Sequence, residues 1–346
     1  ANPTGPLTVG HGRNAILGDS ISNILKWNGY KITREYYFNN AGRQMRVLEE
    51  SVKARYFQTI KKDYAFPEDG YQGEYISDIA KNIIDKYGRD LSHKSSKFIL
   101  EAEKIIFAQI KDTLNRLKIN FDIFTNEKTF YENGDIKKLL SELKRKGLLY
   151  EKDNATWFKA SSVGLKQDRV YIKKSGEPTY RVPDTAYHKN KVDRGFDLII
   201  DIFGTDHADA YPDVICALNA LEYKTDHIKV LLYQFVTLLK NGKKLKMSTR
   251  KANFITMDEL IKEVGSDVIR YFFIMRSMNT HLDFDINVAK DQSEKNPVYY
   301  LQYAYARISS ILRRADDIKV DLSESDQYKK LSHTTEIYLL KHMIIF

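Results

Sequence analysis

Hydrophobic positions along the chain change period several times, and each change marks an element. Ile16, Leu17, Ile21, Ile24 and Leu25 recur at helical spacing and Gly29 follows where a C-cap glycine belongs, which predicts a helix beginning just after His11. The stretch KITREYYF, 31–38, then reads as a strand. From about 41 to 149 the pattern is mainly helical with lysine-rich faces such as LLSELKRKGLLY, and 95–119 is its longest periodic piece. Between 157 and 180 the alternating runs WFKAS and DRVYIKK, separated by SG and EP, predict short strands and turns. FDLIIDIFG, 196–204, has the continuous apolar character of a strand buried on both faces, and it ends in the polar cluster TDHADAY. KVLLYQFVTLL, 229–239, predicts one further strand before the turn NGKKLKMSTRKAN. Thr256 with Glu259 makes a capping box that opens a helix, and Asn296-Pro297 opens another through Tyr299 to Arg314.

Loop, helix and strand in that order suggest a βαβ unit whose first strand precedes Ala1. The expected class is α/β: a Rossmann-like parallel sheet with a mostly helical insertion and an all-α C-terminal domain. The expected division is 1–60 and 177–245 for the two halves of the sheet domain, with 61–176 as the largely helical insertion carrying a small β portion. A basic loop and helical connection fill 246–295, and 296–346 begins the helical domain. Ala1 abuts the glycine-rich stretch without an initiator methionine, and TTEIYLLKHMIIF stops in an uncapped helix, so a fragment of a longer chain is expected.

Composition narrows the class. At 346 residues, two to three domains are expected, and 42% hydrophobic content with seven prolines argues against disorder, collagen or a repeat array. No apolar run approaches the roughly 18 residues of a membrane span and no leader pattern opens the chain, so the expectation is a soluble, cytoplasmic protein with no membrane partner. The single cysteine, Cys216, cannot form a disulfide within the chain or build a cysteine zinc site, and its apolar surroundings predict a buried structural thiol. A formal charge of +9 suits a polyanionic partner, although a lysine-rich soluble surface gives the same number.

Two stretches carry the chemistry. The opening ANPTGPLTVGHGRNA places Gly10 and Gly12 around His11 before a helix, where bare backbone N–H groups and the positive helix end can approach phosphates. A tight turn explains the same glycines, and the spacing fits neither a P-loop nor a dinucleotide fingerprint. Far downstream, KMSTR at 246–250 lies on a lysine-rich loop, where a cation can neutralise charge building on a departing pyrophosphate. Alone it reads equally as a solvated basic loop; the pair together is specific.

TVGH and KMSTR resemble the HIGH and KMSKS signatures of class I aminoacyl-tRNA synthetases. NPTGPLTVGHGRNAILGD, REYYFNNAGRQM, GYQGEYISDIA, GEPTYRVPDTAYH, FGTDHADAYP, LLYQFVTLL and NPVYYLQYAYARISSILRRA are similar to arginyl-tRNA synthetases in the family's order, over essentially the whole chain. The resemblance implies a HIGH-type nucleotide-binding core that activates L-arginine with ATP and Mg²⁺ and transfers it to the 3′ end of tRNA(Arg), with no structural metal held by the protein. It implies catalytic roles for His11, Lys246 and Ser248 and an ATP site at Gly10, His11, Gly12, Asn14, Gly204, Asp206, His207 and Met247. It places arginine against Asn2, Tyr180, Asp184 and Gln234, where a carboxylate, a phenol and amides suit a planar five-donor guanidinium. Taken singly, Tyr180, Asp184 and Gln234 read as ordinary turn or strand residues.

The departures are Thr8 for the first histidine of one signature and Thr249 for the second lysine of the other, where Arg250, Lys251 or another basic residue is the expected substitute; a glutamate and a serine of the family's pattern fall before Ala1. Tyr299, Tyr300, Tyr303 and Tyr305 suit domain packing better than base stacking. Two rivals remain at this level: a tRNA-independent adenylate-forming enzyme of the same superfamily, and a catalytically weakened tRNA-binding or arginine-sensing homologue.

Overall fold

The computed structural model describes residues 1–245, 255–293, 296–318 and 330–345. Helix α1 spans Val9–Trp27, so Gly10, His11 and Gly12 form its first turn rather than a loop leading into it. The earlier start follows from Thr8, whose hydroxyl accepts from the His11 amide while the Thr8 amide donates to His11 Nδ1, a reciprocal capping box. The two glycines serve different purposes. A Cβ on Gly10 would meet only Thr8 Oγ1 at 3.8 Å, whereas one on Gly12 would lie 2.8 Å from Met257 Cε and closer still to its sulfur. Met257 is fully buried. Gly12→Ala is therefore expected to overpack this contact at a cost of about 1–3 kcal/mol, against about 1 kcal/mol of helix propensity gained. A lowered melting temperature in calorimetry is the predicted result; an unchanged or raised one would show that Met257 yields freely.

Strand β1, Glu35–Phe38, is shorter than the sequence pattern predicts, because the ladder with its partner begins only at Glu35 opposite Ile123. Three helices follow, α2 (Gly42–Thr59), α3 (Glu74–Tyr87) and α4 (Lys97–Arg116), whose apolar stripes meet through buried Leu48, Val52, Ile76, Ile83, Phe98 and Ile106. They cross over to β2 (Ile123–Asn126), which pairs with β1 in parallel. Asn126 then caps the short α5 (Glu127–Glu132), and α6 (Asp135–Arg145) leads to an antiparallel sheet of β3 (Leu149–Lys152), β4 (Ala155–Phe158) and β5 (Arg169–Ile172). Phe130, Leu139, Leu143, Phe158 and Tyr171 bury the inner face of this layer against Val182 and Ala186.

Helix α7 (Arg181–Asp193) precedes β6 (Ile199–Gly204), which pairs in parallel with β7 (Ile228–Tyr233) after the crossover helix α8 (Tyr211–Ala220). Cys216 in α8 is buried, donates to the Val163 carbonyl at 3.2 Å, and has its thiol pKa pushed up by burial, as a structural thiol should. The run KVLLYQFVTLL is not one strand. It breaks at Gln234–Phe235 and continues as β8 (Val236–Lys240), which turns through β9 (Lys243–Lys244) and belongs to a different sheet. Helices α9 (Met257–Val264) and α10 (Ser266–Ile274) then cross to β10 (Leu282–Asp285), parallel to β8, before α11 (Ile286–Lys290). Thr256 and Glu259 form the predicted capping box of α9.

Residues 1–290 make one compact unit and 291–346 a second. In the second, α12 (Pro297–Asp317) is capped by Asn296, whose side chain accepts from the Val298 amide, and Tyr299, Tyr300, Tyr303 and Tyr305 are exposed. Helix α13 covers Thr334–Ile345. Among the described residues no helix is long and apolar enough to cross a membrane.

Candidate active site

The first turn of α1 lies at the C-terminal ends of the parallel pair β6–β7, where open α/β sheets place their ligands. Tyr233, the last residue of β7, donates its hydroxyl to the Gly10 carbonyl at 3.3 Å, and Asn14 Nδ2 donates to the Ile202 carbonyl of β6 at 2.8 Å. The capping box occupies the Thr8 and His11 amides, and the antiparallel bridge of Thr8 with Thr256 engages the Val9 amide, leaving that of Gly10 with no partner among the described residues at the positive end of the helix. Thr8, a departure from the signature, is thus the N-cap that positions His11. Because the Thr8 amide N–H can only donate, His11 Nδ1 must accept, which puts the proton of the neutral ring on Nε2. His11 is exposed at its edge, yet the protein packed around the ring lowers its pKa to about 4. It is therefore a neutral Nε2–H donor at pH 7.

Gly204 ends β6, and Asp206 folds back over it in a 3₁₀ turn, 205–207, so that a Cβ on Gly204 would run into Asp206 Oδ1. His207 stacks on Phe203 at 5.5 Å and stands 3.8 Å from the Asp206 carboxylate. Gly10, His11, Asn14, Gly204, Asp206 and His207 therefore gather at one sheet edge. Gly12 faces the buried Met257 instead. Lys246, Met247 and Ser248, with Thr249, Arg250 and Lys251, lie outside the described residues.

A second cluster forms beyond the end of β1. Asn2 accepts from the Asn39 amide and donates to Gln44, each at 2.9 Å, while Asn39 Nδ2 and the Tyr37 hydroxyl both donate to Glu127, at 2.8 and 3.0 Å. Tyr37 stacks on Tyr187 with centroids 4.3 Å apart. Asp184, one turn before His188 in α7, faces the same region, and its carboxylate makes no hydrogen bond to any described residue. Burial raises the Asp184 pKa against the pull of His188, His207 and Lys191. Burial also raises that of Glu127, against the Tyr37 hydrogen bond, and Asp184 adds to the rise. Two carboxylates that each resist ionisation, walled by tyrosines, form a site that a cation completes.

Helix α7 is fixed in place by buried ions. Asp201 of β6 accepts from Lys191 and lies 3.1 Å from His188 Nε2, and His188 Nδ1 is 2.8 Å from the Asp184 carbonyl. At its start, Arg181 and Arg169 both hold the buried Asp213 of α8. Tyr180 is 55% exposed, with the Arg181 guanidinium over its ring at 4.7 Å, so it stands at the rim. Gln234 occupies the β7–β8 break, half-buried, with its side-chain amide unbonded among the described residues. Sequence reasoning singled out neither Glu127 nor Tyr37; the Asn-Glu pair before a helix reads as a simple cap, and only the β1–β2 pairing brings both to Asp184.

A family profile described as tRNA synthetases class I (R), catalytic domain, matches residues 1–271. The chain belongs to this family. It is 52% identical over 345 residues to the arginine–tRNA ligase of Desulfotalea psychrophila, and 49% identical over 364 residues to that of Salinibacter ruber. These matches cover 99% and 100% of this chain, and the chain spans 62% and 65% of the lengths of those relatives. A crystal structure of an assigned arginyl tRNA synthetase from Campylobacter jejuni superposes with a TM-score of 0.84 at 35% identity, covering 94% of this chain and 73% of that one. The Thermus thermophilus arginyl-tRNA synthetase, at 20% identity and a TM-score of 0.66 over 91% of this chain and 63% of that one, shares the fold. Membership of a class I catalytic-domain family accords with the parallel strand pairs joined by helical crossovers.

Proposed function

We propose that this chain is the catalytic part of an arginine–tRNA ligase. In the first step the arginine carboxylate attacks the α-phosphorus of ATP, giving arginyl-adenylate and pyrophosphate. In the second, a terminal ribose hydroxyl of tRNA(Arg) attacks the adenylate carbonyl and AMP leaves. The observation that carries the reading is the Asp184 carboxylate, unbonded among the described residues and close to Glu127 in a tyrosine-walled site. A guanidinium supplies the fork of donors that such a pair lacks.

Each residue then has a physical task. The Gly10 amide and the positive end of α1 face phosphate, and the open space over Gly10 allows close approach. His11 Nε2–H donates to charge developing at the α-phosphate. Asp206 suits a ribose hydroxyl, Asn2 and Gln234 suit the amino acid's polar groups, and Lys246 suits the departing pyrophosphate. Mg²⁺ arrives as part of the ATP substrate. Pyrophosphate exchange on the full-length protein, run for each amino acid with and without tRNA, tests the proposal: selective exchange with arginine is expected. Exchange with another amino acid, or with none, would overturn it.

A further inference from the structure

Arg13 is fully buried in α1, and no carboxylate pairs with it among the described residues. Its guanidinium instead gathers backbone carbonyls from two other segments. Nη1 donates to Gln234 at 2.5 Å, to Thr280 at 3.3 Å and to Phe235 at 3.5 Å, and Nη2 donates to Ser277 and Thr280, both at 3.3 Å. The same segments are joined by their own backbones, Gln234 N to Met278 O at 2.8 Å and Leu282 N to Phe235 O at 3.2 Å. Burying a guanidinium without a counter-ion is costly, and an apolar side chain fills space more cheaply. What an arginine fork can do here is reach at once the Gln234 carbonyl, at the break between β7 and β8, and the Ser277 and Thr280 carbonyls of the loop before β10. That break is the position of Gln234. Two residues before Arg13, on the same helical turn, is His11.

We propose that Arg13 is a positioning residue for the amino-acid side of the site: it holds the backbone at Gln234 in fixed register with the turn of α1 that carries His11, so that the Gln234 amide and the His11 donor meet one substrate together. The proposal rests on the arginine-activation reading above. Arg13 itself touches no substrate, and its effect runs through Gln234. Lysine at this position keeps the charge but cannot span Gln234, Ser277 and Thr280 at once.

The test is a double-mutant cycle on the full-length protein, with arginine KM and kcat measured by pyrophosphate exchange in the presence of tRNA. Gln234→Ala is expected to raise the arginine KM by about five- to tenfold, as for one lost hydrogen bond. Arg13→Lys should raise it by a similar factor with the ATP KM unchanged, and the double variant should be no worse than Gln234→Ala alone. Independent, multiplying effects would overturn the inference and leave the site reading intact. So would a fall in melting temperature with no change in the arginine KM, since that is a purely structural role. An unchanged KM in Gln234→Ala would overturn the assignment of Gln234 and this inference with it. Hydrogen exchange on the unaltered protein needs no variant: saturating arginine should slow the Gln234 and Leu282 amides, and unchanged exchange at both would also overturn it.

Discussion

Asp184→Asn in the full-length protein is expected to lower kcat/KM for arginine in pyrophosphate exchange by about 10² to several times 10³, the scale of breaking a buried charge pair at about 3–5 kcal/mol. Citrulline has the shape of arginine with a neutral urea in place of the guanidinium, so its kcat/KM should change little. The arginine-to-citrulline ratio should therefore collapse toward one. The pH profile supplies a second reading. Only the ionised carboxylates pair with the guanidinium, and burial raises the pKa of both Asp184 and Glu127, so kcat/KM for arginine should fall as pH drops through that raised range. In the Asn variant Glu127 loses a like-charged neighbour, and the remaining acid limb should move to lower pH. A ratio that stays at the unaltered protein's value, or an acid limb that moves up, would assign the cation to another carboxylate.

His11→Ala should lower the rate of exchange by about 10² to 10³ by removing a donor aimed at charge that exists only in the transition state. The same substitution removes the acceptor for the Thr8 amide, so about 0.5–1 kcal/mol of stability should go with it. The two losses separate in His11→Gln. Glutamine at the third position of a helix is a normal capping-box partner, so its melting temperature should recover while exchange stays low. Because the His11 pKa lies at about 4, no limb of the rate profile above about pH 5 should belong to it. Full exchange activity in either variant would remove His11 from the chemistry.

Elements whose period is local were legible in the sequence. The 95–119 periodicity became Lys97–Arg116, the Thr256 capping box and the Asn296-Pro297 start formed as read, and the doubly apolar 196–204 run became Ile199–Gly204. Elements decided by distant partners were not. The run 31–38 keeps strand geometry only where Ile123 and its neighbours pair with it, and 229–239 breaks at Gln234, whose amide donates to Met278 and whose carbonyl accepts from Arg13, before Phe235 joins the ladder with Leu282. The same limit applies to the site. His11, Asp206 and Asp184 sit in motifs long enough to recognise. Glu127 becomes visible only when β1 and β2 bring Tyr37 and Asn39 to it across some ninety intervening residues, as the separations of 90 and 88 between bonded partners show.

The pairing of Thr8 with Thr256, reinforced by the Met257 amide donating to the Leu7 carbonyl, fixes one end of the segment 246–254 against the turn that carries His11. At its other end Leu245 donates to the Leu238 carbonyl of β8. Whatever path the intervening nine residues take, both of their ends are tied to the catalytic unit. In the function proposed above, their basic side chains and a phosphate bound at the start of α1 belong to one tethered system, with an effective concentration of order millimolar for a short tether. Such a concentration is insensitive to dilution of the protein but sensitive to tether length. In that proposal the spacing between Leu245 and Thr256 is a quantity in its own right, separate from the identity of the lysine within it.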